Sequence, residues 1–269
     1  MKPLSDRIAL VTGASRGIGR AIAVRLAQDG AIVGIHYRAE RDKARQVLEL
    51  VRAKGGKGFV VAADLAVSAG PTQLAEALIN ELRAWRDPPM LDILVNNAGV
   101  DDRKTIEQVT EADFDRMLQV NLKSPFFLIQ KLLPVMRDGG RIINISSVAT
   151  RLSFPTMPVY APSKAALSTL SRILASYLGP RGITVNAILP GATSTDLNPV
   201  ASDPRRSASI RESVALGRIA EPEDIAPVVA FLASGEGGWI TGETIEASGG
   251  QRLLRPLSIS CSQPASTYG

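Results

Sequence analysis

Tyr160 and Lys164 are spaced for proton transfer. They lie four positions apart in a stretch, residues 159–178, whose apolar residues recur at helical intervals, so they share one helix face a single turn apart. A tyrosine hydroxyl normally titrates near ~10, and an ammonium alongside lowers that value toward the working range, which suits the phenol to general acid or base duty. Pro162, between them, fits only a first helical turn, so the helix must begin near Val159. A second chemical feature is near the N-terminus, where residues 12–19 read T-G-A-S-R-G-I-G. Gly13, Gly17 and Gly19 let the backbone turn tightly and approach a pyrophosphate, which would rest on the N–H groups opening the next helix. The spacing is G-x-x-x-G-x-G rather than G-x-G-x-x-G, and its place between a strand and a helix gives it meaning.

Composition removes other chemistries. The single cysteine, Cys261, excludes intrachain disulfides and thiolate metal clusters, and the single histidine, His36, argues against a Ser-His-Asp hydrolase or a multi-histidine site. No metal site is expected. The 31 Lys and Arg against 26 Asp and Glu give a net charge of +5, but the two signs are interspersed without a long basic block, as on a solvated surface that does not bind nucleic acid. Residues 1–6 lack a signal-peptide core and no apolar run approaches the ~18 residues of a membrane span. The expectation is a cytoplasmic protein with no membrane partner.

The elements that must position these groups alternate along the chain. Residues 7–11, 32–37, 58–63, 91–95, 141–146, 183–189 and 244–247 read as strands, and 17–28, 40–54, 73–85, 111–137 and 159–178 as helices. Pro125 and Pro134 mark kinks or breaks in the long fourth helix. Such βα repetition predicts an α/β, doubly wound Rossmann-type fold: a seven-stranded parallel sheet with helices on both faces. Residues 1–250 form a single dinucleotide-binding and catalytic domain, within which the polar, Pro-interrupted stretch 193–215 is a lid or substrate loop. Residues 251–269 form a Ser-rich tail without periodicity.

Separated motifs in a fixed order carry a resemblance. The glycine loop, Asn96-Asn97-Ala98-Gly99, Asn121, Ser147, Tyr160-x-x-x-Lys164 and Pro190-Gly191 resemble the short-chain dehydrogenase/reductase family, the compact single-domain type that includes 3-oxoacyl-carrier reductases, over residues 4–250. The resemblance implies that Tyr160 is the general acid in carbonyl reduction, helped by Lys164 and an oxidised nicotinamide. Ser147 would hydrogen-bond the substrate oxygen and stabilise developing alkoxide character. Adjacent Ser146 competes for this role, but strand alternation sends only one of the two into the site. Asn121 would hold a water between Lys164 and solvent.

The resemblance also assigns cofactor contacts. Gly13, Ser15, Arg16, Gly17, Ile18 and Gly19 would surround the pyrophosphate, and Asp64 with Leu65 would meet the adenine. Asn97, Ala98 and Gly99 would lie against the adenosine ribose, and Tyr160 and Lys164 beside the nicotinamide. Pro190, Gly191, Thr193 and Thr195 would clasp its carboxamide. Cofactor choice turns on the end of strand two, where Ile35-His36-Tyr37-Arg38 offers no carboxylate for a ribose 2′-hydroxyl. Arg38, beside Tyr37, and Arg16 are placed to clamp a 2′-phosphate, so NADP(H) is expected over NAD(H). His36 is expected as a neutral wall on the adenine side.

The three-residue gap between Tyr160 and Lys164 favours ketone and alcohol chemistry, because the family's enoyl reductases separate the pair more widely. Residues 100–104, 148–158 and 193–215 should frame the substrate, with Leu152, Phe154 and Met157 suggesting an apolar or aromatic ketone. The resemblance further implies a homotetramer. Competing readings are an NAD(H)-dependent alcohol dehydrogenase, a 3-oxoacyl-carrier reductase, and an NADP-binding sensor or scaffold without turnover.

Overall fold

The structure, a computed structural model, describes residues 2–198, 204–251 and 253. Its centre is a seven-stranded parallel sheet in the order β3-β2-β1-β4-β5-β6-β7. The strands are β1 (Ile8–Val11), β2 (Ile32–Tyr37), β3 (Lys57–Ala62), β4 (Leu91–Asn96), β5 (Met136–Ile145), β6 (Thr184–Pro190) and β7 (Thr244–Ala247). Register aligns Val11, the last residue of β1, with Ile35 on one side and Val95 on the other, so β2 runs two residues and β4 one residue beyond the end of β1. The order reverses between β1 and β4, which opens a crevice beyond their carboxyl ends.

Strand alternation explains the two layers. Ala9 and Val11 face helices α1 (Gly17–Gln28), α2 (Arg41–Ala53) and α8 (Pro222–Ala233), where Ile22, Leu26, Val47, Val51 and Val229 complete one core. Ile8 and Leu10 face the other way, toward Leu74 and Leu78 of α3 (Gly70–Leu82), Leu128 of α5 (Ser124–Leu132) and Leu178 of α6 (Tyr160–Leu178). With both faces covered, β4 is buried along its whole length. No helix among the described residues is long and apolar enough to cross a membrane.

Three expectations are corrected. The predicted helix over 111–137 is α4 (Glu111–Leu118), a π-helical turn (Gln119–Lys123) and α5, and it ends at Leu132 because Pro134 follows. Pro125 sits in the first turn of α5 and breaks nothing. Strand β5 begins at Met136 rather than 141: Met136 pairs with Leu91 and Arg141 with Ile93, so residues 137–140 bulge outward through Gly139, whose φ is 74°. The polar stretch 193–215 contains a helix, α7 (Pro204–Ser213), and α8 beyond it went unassigned although Pro222 and Pro227 lie within it. Of the tail, residues 252 and 254–269, Cys261 among them, lie outside the described residues.

Candidate active site

The glycine loop is shaped by its neighbours. Gly13 holds φ at 62°, where a side chain is strained, and a side chain at Gly19 would collide with the Gly13 carbonyl and the Asn97 amide. Thr12 Oγ1 accepts from the backbone N–H groups of Asn97 and Ala98, both at 2.9 Å, while Asn97 Nδ2 donates to the Thr12 carbonyl at 2.8 Å and the Gly13 carbonyl at 3.2 Å. The loops after β1 and β4 are thereby tied together at the crevice. The N-terminus of α1 carries no side-chain cap and no acidic residue in its first turn, which leaves its N–H groups and dipole suited to an anion.

His36 is buried beneath this loop. Its Nδ1 accepts from the Gly13 N–H at 3.0 Å, which fixes the proton on Nε2, 3.1 Å from the Ala63 carbonyl. Burial pushes its pKa down to about 4, so the imidazole is neutral, as expected, but it braces the loop from within as well as lining the cleft. Asp64 Oδ1 accepts from the Ala66 N–H at 2.9 Å and so also shapes its own turn. Arg38 is exposed along the cleft, as is Glu40, whose carboxylate lies 3.5 Å from Lys43. Arg16 reaches across to Asp196 at 3.6 Å, an ion pair spanning the cleft that the sequence reading missed.

Strand β5 delivers the two serines to different places. Ser147 Oγ accepts from the Ala149 N–H at 3.1 Å and lies near enough to the Tyr160 hydroxyl to favour its ionised form. Ser146 Oγ donates to the Lys164 carbonyl at 2.9 Å and accepts from Ser168 at 2.8 Å, so it holds the helix rather than the reaction. Helix α6 begins at Tyr160, which puts Pro162 in the first turn as its ring requires. Lys164 Nζ donates to the Ile145 carbonyl at 2.8 Å and lies 6.0 Å from the centre of the Tyr160 ring.

Burial dominates the electrostatics here. It pushes Lys164 down to about 8 and Tyr160 up to about 12. The expected lowering of Tyr160 by Lys164 is therefore not met in the protein alone, because the ammonium is turned to the Ile145 carbonyl while the phenol loses water. A phenol held in its protonated form is the state a proton donor needs.

Asn121 lies in the π-helical turn, fully buried, and among the predicted site residues it is the one that does not line the cleft. Its Oδ1 accepts from the Val100 N–H at 2.9 Å, and its Nδ2 donates to the Val100 carbonyl at 2.9 Å and to Ser163 Oγ at 3.1 Å. Ser163 in turn donates to the Tyr160 carbonyl at 2.7 Å. The side chain thus joins the loop after β4 to the start of α6.

All other predicted residues border one cleft of about 600 Å³. Thr193 Oγ1 donates to the Gly191 carbonyl at 3.0 Å, which fixes the turn after β6, and Thr195 stands against Gly17. Of the apolar residues expected to frame a substrate, Phe154 and Met157 line the wall and Leu152 does not. Asp101 and Arg103, within the expected stretch 100–104, also line it, and so does Gln251, which was missed. The run Asp101-Asp102-Arg103-Lys104, which follows Val100, is the charged part of that stretch. Gln251 Oε1 accepts from the Ala192 N–H at 2.7 Å, so the first residue assigned to the tail is part of the cleft.

Comparison with known proteins agrees with this geometry. A family profile described as enoyl-(acyl carrier protein) reductase matches residues 13–252. An uncharacterized oxidoreductase of Methylorubrum extorquens is 42% identical over 254 residues, 94% of this chain and all of that one. The 3-oxoacyl-[acyl-carrier-protein] reductase FabG of Staphylococcus epidermidis is 37% identical over 92% of this chain and all of its own length. The angucycline C-6 ketoreductase LanV, solved with NADP bound, superposes with a TM-score of 0.90 at 46% identity, covering 93% of this chain and 97% of its own. With these matches and the seven-stranded parallel sheet, the chain belongs to the short-chain dehydrogenase/reductase family.

Proposed function

We propose that the protein is an NADPH-dependent reductase that interconverts a ketone and a secondary alcohol. The observation that carries this reading is the meeting of Ser147, Tyr160 and Lys164 in the same cleft into which the glycine loop opens. The cradle fits a dinucleotide: tight backbone at Gly13 and Gly19, uncapped N–H groups on α1, and Arg38 and Arg16 where a 2′-phosphate would lie. When bound, the cofactor supplies the hydride. The chain's residues do the rest. Ser147 hydrogen-bonds the substrate oxygen, and Tyr160 gives that oxygen its proton as the carbonyl carbon is reduced. Lys164 supports the phenolate left behind and passes to it a proton drawn from solvent. Asn121 contributes by fixing Val100 and the first turn of α6, and a relay water would meet its main chain.

The reductase reading is supported by the NADP-bound ketoreductase relative and by the absence of a carboxylate from residues 35–38. A homotetramer is part of the proposal, supported by exposed apolar side chains on α4, α5 and α6, including Phe114, Phe126, Ile173 and Tyr177, and by Trp239 near β7, 98% exposed. The full length of FabG that the chain covers favours a second reading, reduction of a carrier-bound 3-oxoacyl group. One assay separates these: NADPH and NADH oxidation by wild type and Tyr160→Phe, with a panel of aryl ketones and a 3-oxoacyl thioester. Ketone turnover that depends on Tyr160 supports the proposal. Cofactor binding without turnover of any carbonyl would leave a sensor in its place.

A further inference from the structure

Among the buried side-chain oxygens and nitrogens of the described residues, Oδ1 of Asp101 stands alone in having no hydrogen-bond partner. The Asp101 side chain is only 7% exposed, and the residue borders the substrate end of the cleft with Tyr160, Phe154 and Met157. Its other oxygen accepts from Arg103 Nε at 3.3 Å, and Arg103 Nη2 continues to Asn198 Oδ1 at 3.4 Å. The neighbouring Asp102 is turned outward to Lys104 at 2.9 Å, and Lys104 is shared with Asp113 at 2.8 Å. Two adjacent carboxylates therefore have different fates: Asp102 joins a surface network, and Asp101 is buried with one oxygen unanswered.

A buried acceptor without a donor is costly to keep. Structural carboxylates in this chain are treated otherwise: buried Asp92 is answered by the Ile8 N–H and by Arg7, Arg86 and Arg137. Asp101 stands close enough to the reacting groups for its charge to be felt at both Tyr160 and Lys164, and burial raises its own pKa. Because Asp101 borders the cleft, a molecule bound there can bring it a donor.

We infer that Asp101 is a specificity-determining residue, whose free oxygen accepts a hydrogen bond from a hydroxyl group that the ketone substrate carries beside its apolar body. This rests on the ketoreductase reading and sharpens it: the substrate is a hydroxylated ketone, its ring or chain lying on Phe154 and Met157, its carbonyl at Tyr160 and Ser147, and its hydroxyl at Asp101. Oδ1 is buried, so the carboxylate meets the ligand by turning partway about Cβ–Cγ, short of the half-turn that would only exchange its two equivalent oxygens. A site built to answer a hydroxyl discriminates strongly against analogues without one, because the acceptor is then left buried and unpaired.

The test compares 1-tetralone, its singly hydroxylated ring isomers and the matching methoxy compounds, in wild type and Asp101→Asn. In the variant the amide oxygen serves Arg103 and the NH₂ replaces the free acceptor with a donor. For at least one isomer, wild type should favour hydroxy over plain ketone by roughly 10- to 100-fold in kcat/KM, and Asp101→Asn should erase that ratio. Melting temperature and NADPH binding confirm that the variant folds, with Asp101→Ala as the substitute if it does not. Equal ratios in wild type and variant, or methoxy compounds performing as well as hydroxy ones, overturn the assignment. Calorimetric binding of the same compounds to the NADP⁺-loaded protein separates the two readings. Hydroxyl-selective, Asp101-dependent binding without turnover keeps this inference and removes the ketoreductase one, whereas neither binding nor turnover removes both.

Discussion

The backbone N–H of Gly13 donates to Nδ1 of His36 across 3.0 Å, so the first glycine of the glycine loop hangs on an imidazole that works only when neutral. Nε2 of the same ring meets the Ala63 carbonyl at 3.1 Å, and the ring therefore links the ends of β1, β2 and β3. Burial pushes the His36 pKa down to about 4 from 6.5.

This relationship sets a pH window for stability. Above about 6.5 neither folded nor unfolded His36 carries a proton. As pH falls from there toward about 4, the unfolded chain takes up a proton that the folded chain refuses, so stability drops, by about 3 kcal/mol over the whole window. Below about 4 this loss is complete. His36→Leu should flatten that part of the slope and cost about 1–3 kcal/mol at pH 7 by leaving the Gly13 N–H and Ala63 carbonyl unpaired. Urea unfolding of both proteins between pH 7.5 and 4.5 is the measurement, and parallel stability curves would refute the linkage.

Cofactor choice should rest on Arg38. The guanidinium is exposed on the cleft wall at the end of β2, whereas Arg16 is partly engaged with Asp196. Arg38→Ala is expected to raise the KM for NADPH about 10-fold or more, since a charge-assisted contact to phosphate contributes about 1.5–3 kcal/mol, while the KM for NADH stays within about 2-fold. Steady-state kinetics with both cofactors decides it, and equal losses for the two would mean that Arg38 does not read the 2′-phosphate.

The fold was largely legible because βα repetition and buried strands write themselves into hydrophobic periodicity, and β2, β7 and α1 have the expected ends. Illegible features were those where two periods fit the same residues. The apolar run Leu132-Leu133-Pro134-Val135-Met136 satisfies both a helix and a strand, and only pairing of Met136 with Leu91 decides it. The π-helical turn at Asn121 leaves no mark in composition. At the site, the residues proposed to hold a dinucleotide were visible as motifs, since backbone approach demands glycine and small side chains. The stretch 100–104 was expected at the cleft, but the separate parts played by Asp101 and Arg103, and Gln251 altogether, were not legible, because their meaning comes from partners distant in sequence, such as Asn198 and Ala192.

The pair Tyr160 and Lys164 should give ketone reduction a one-sided pH profile. Burial keeps the phenol protonated to about 12, so Tyr160 remains a donor across the working range. Lys164 loses its charge at about 8, and with it the support for the phenolate. We expect kcat/KM for reduction to fall above about pH 8 with loss of one proton. Lys164→Arg should move the descending limb upward, because a guanidinium does not titrate there. Tyr160→Phe should lose about 10²–10⁴-fold in kcat while still binding NADPH. A flat profile to pH 10 in wild type would remove Lys164 from the proton path.

Asn121 offers the sharpest separation of positioning from contact. It makes three hydrogen bonds, two to Val100 and one to Ser163, and does not line the cleft. Asn121→Leu keeps much of the volume but leaves the Val100 N–H and carbonyl without partners, a loss of about 2–5 kcal/mol of stability. Because Ser163 passes the restraint to the Tyr160 carbonyl at 2.7 Å, the phenol should be misplaced while the phosphate end of the cleft is undisturbed. The expected signature is a kcat reduced about 10-fold or more with the KM for NADPH nearly unchanged. Ser163→Ala should give a milder version, and the double substitution should cost less than the two singles added, since both cut one chain from Val100 to Tyr160. Strict additivity in kcat would show that Asn121 acts by another route, and a KM effect confined to NADPH would place it at the cofactor after all.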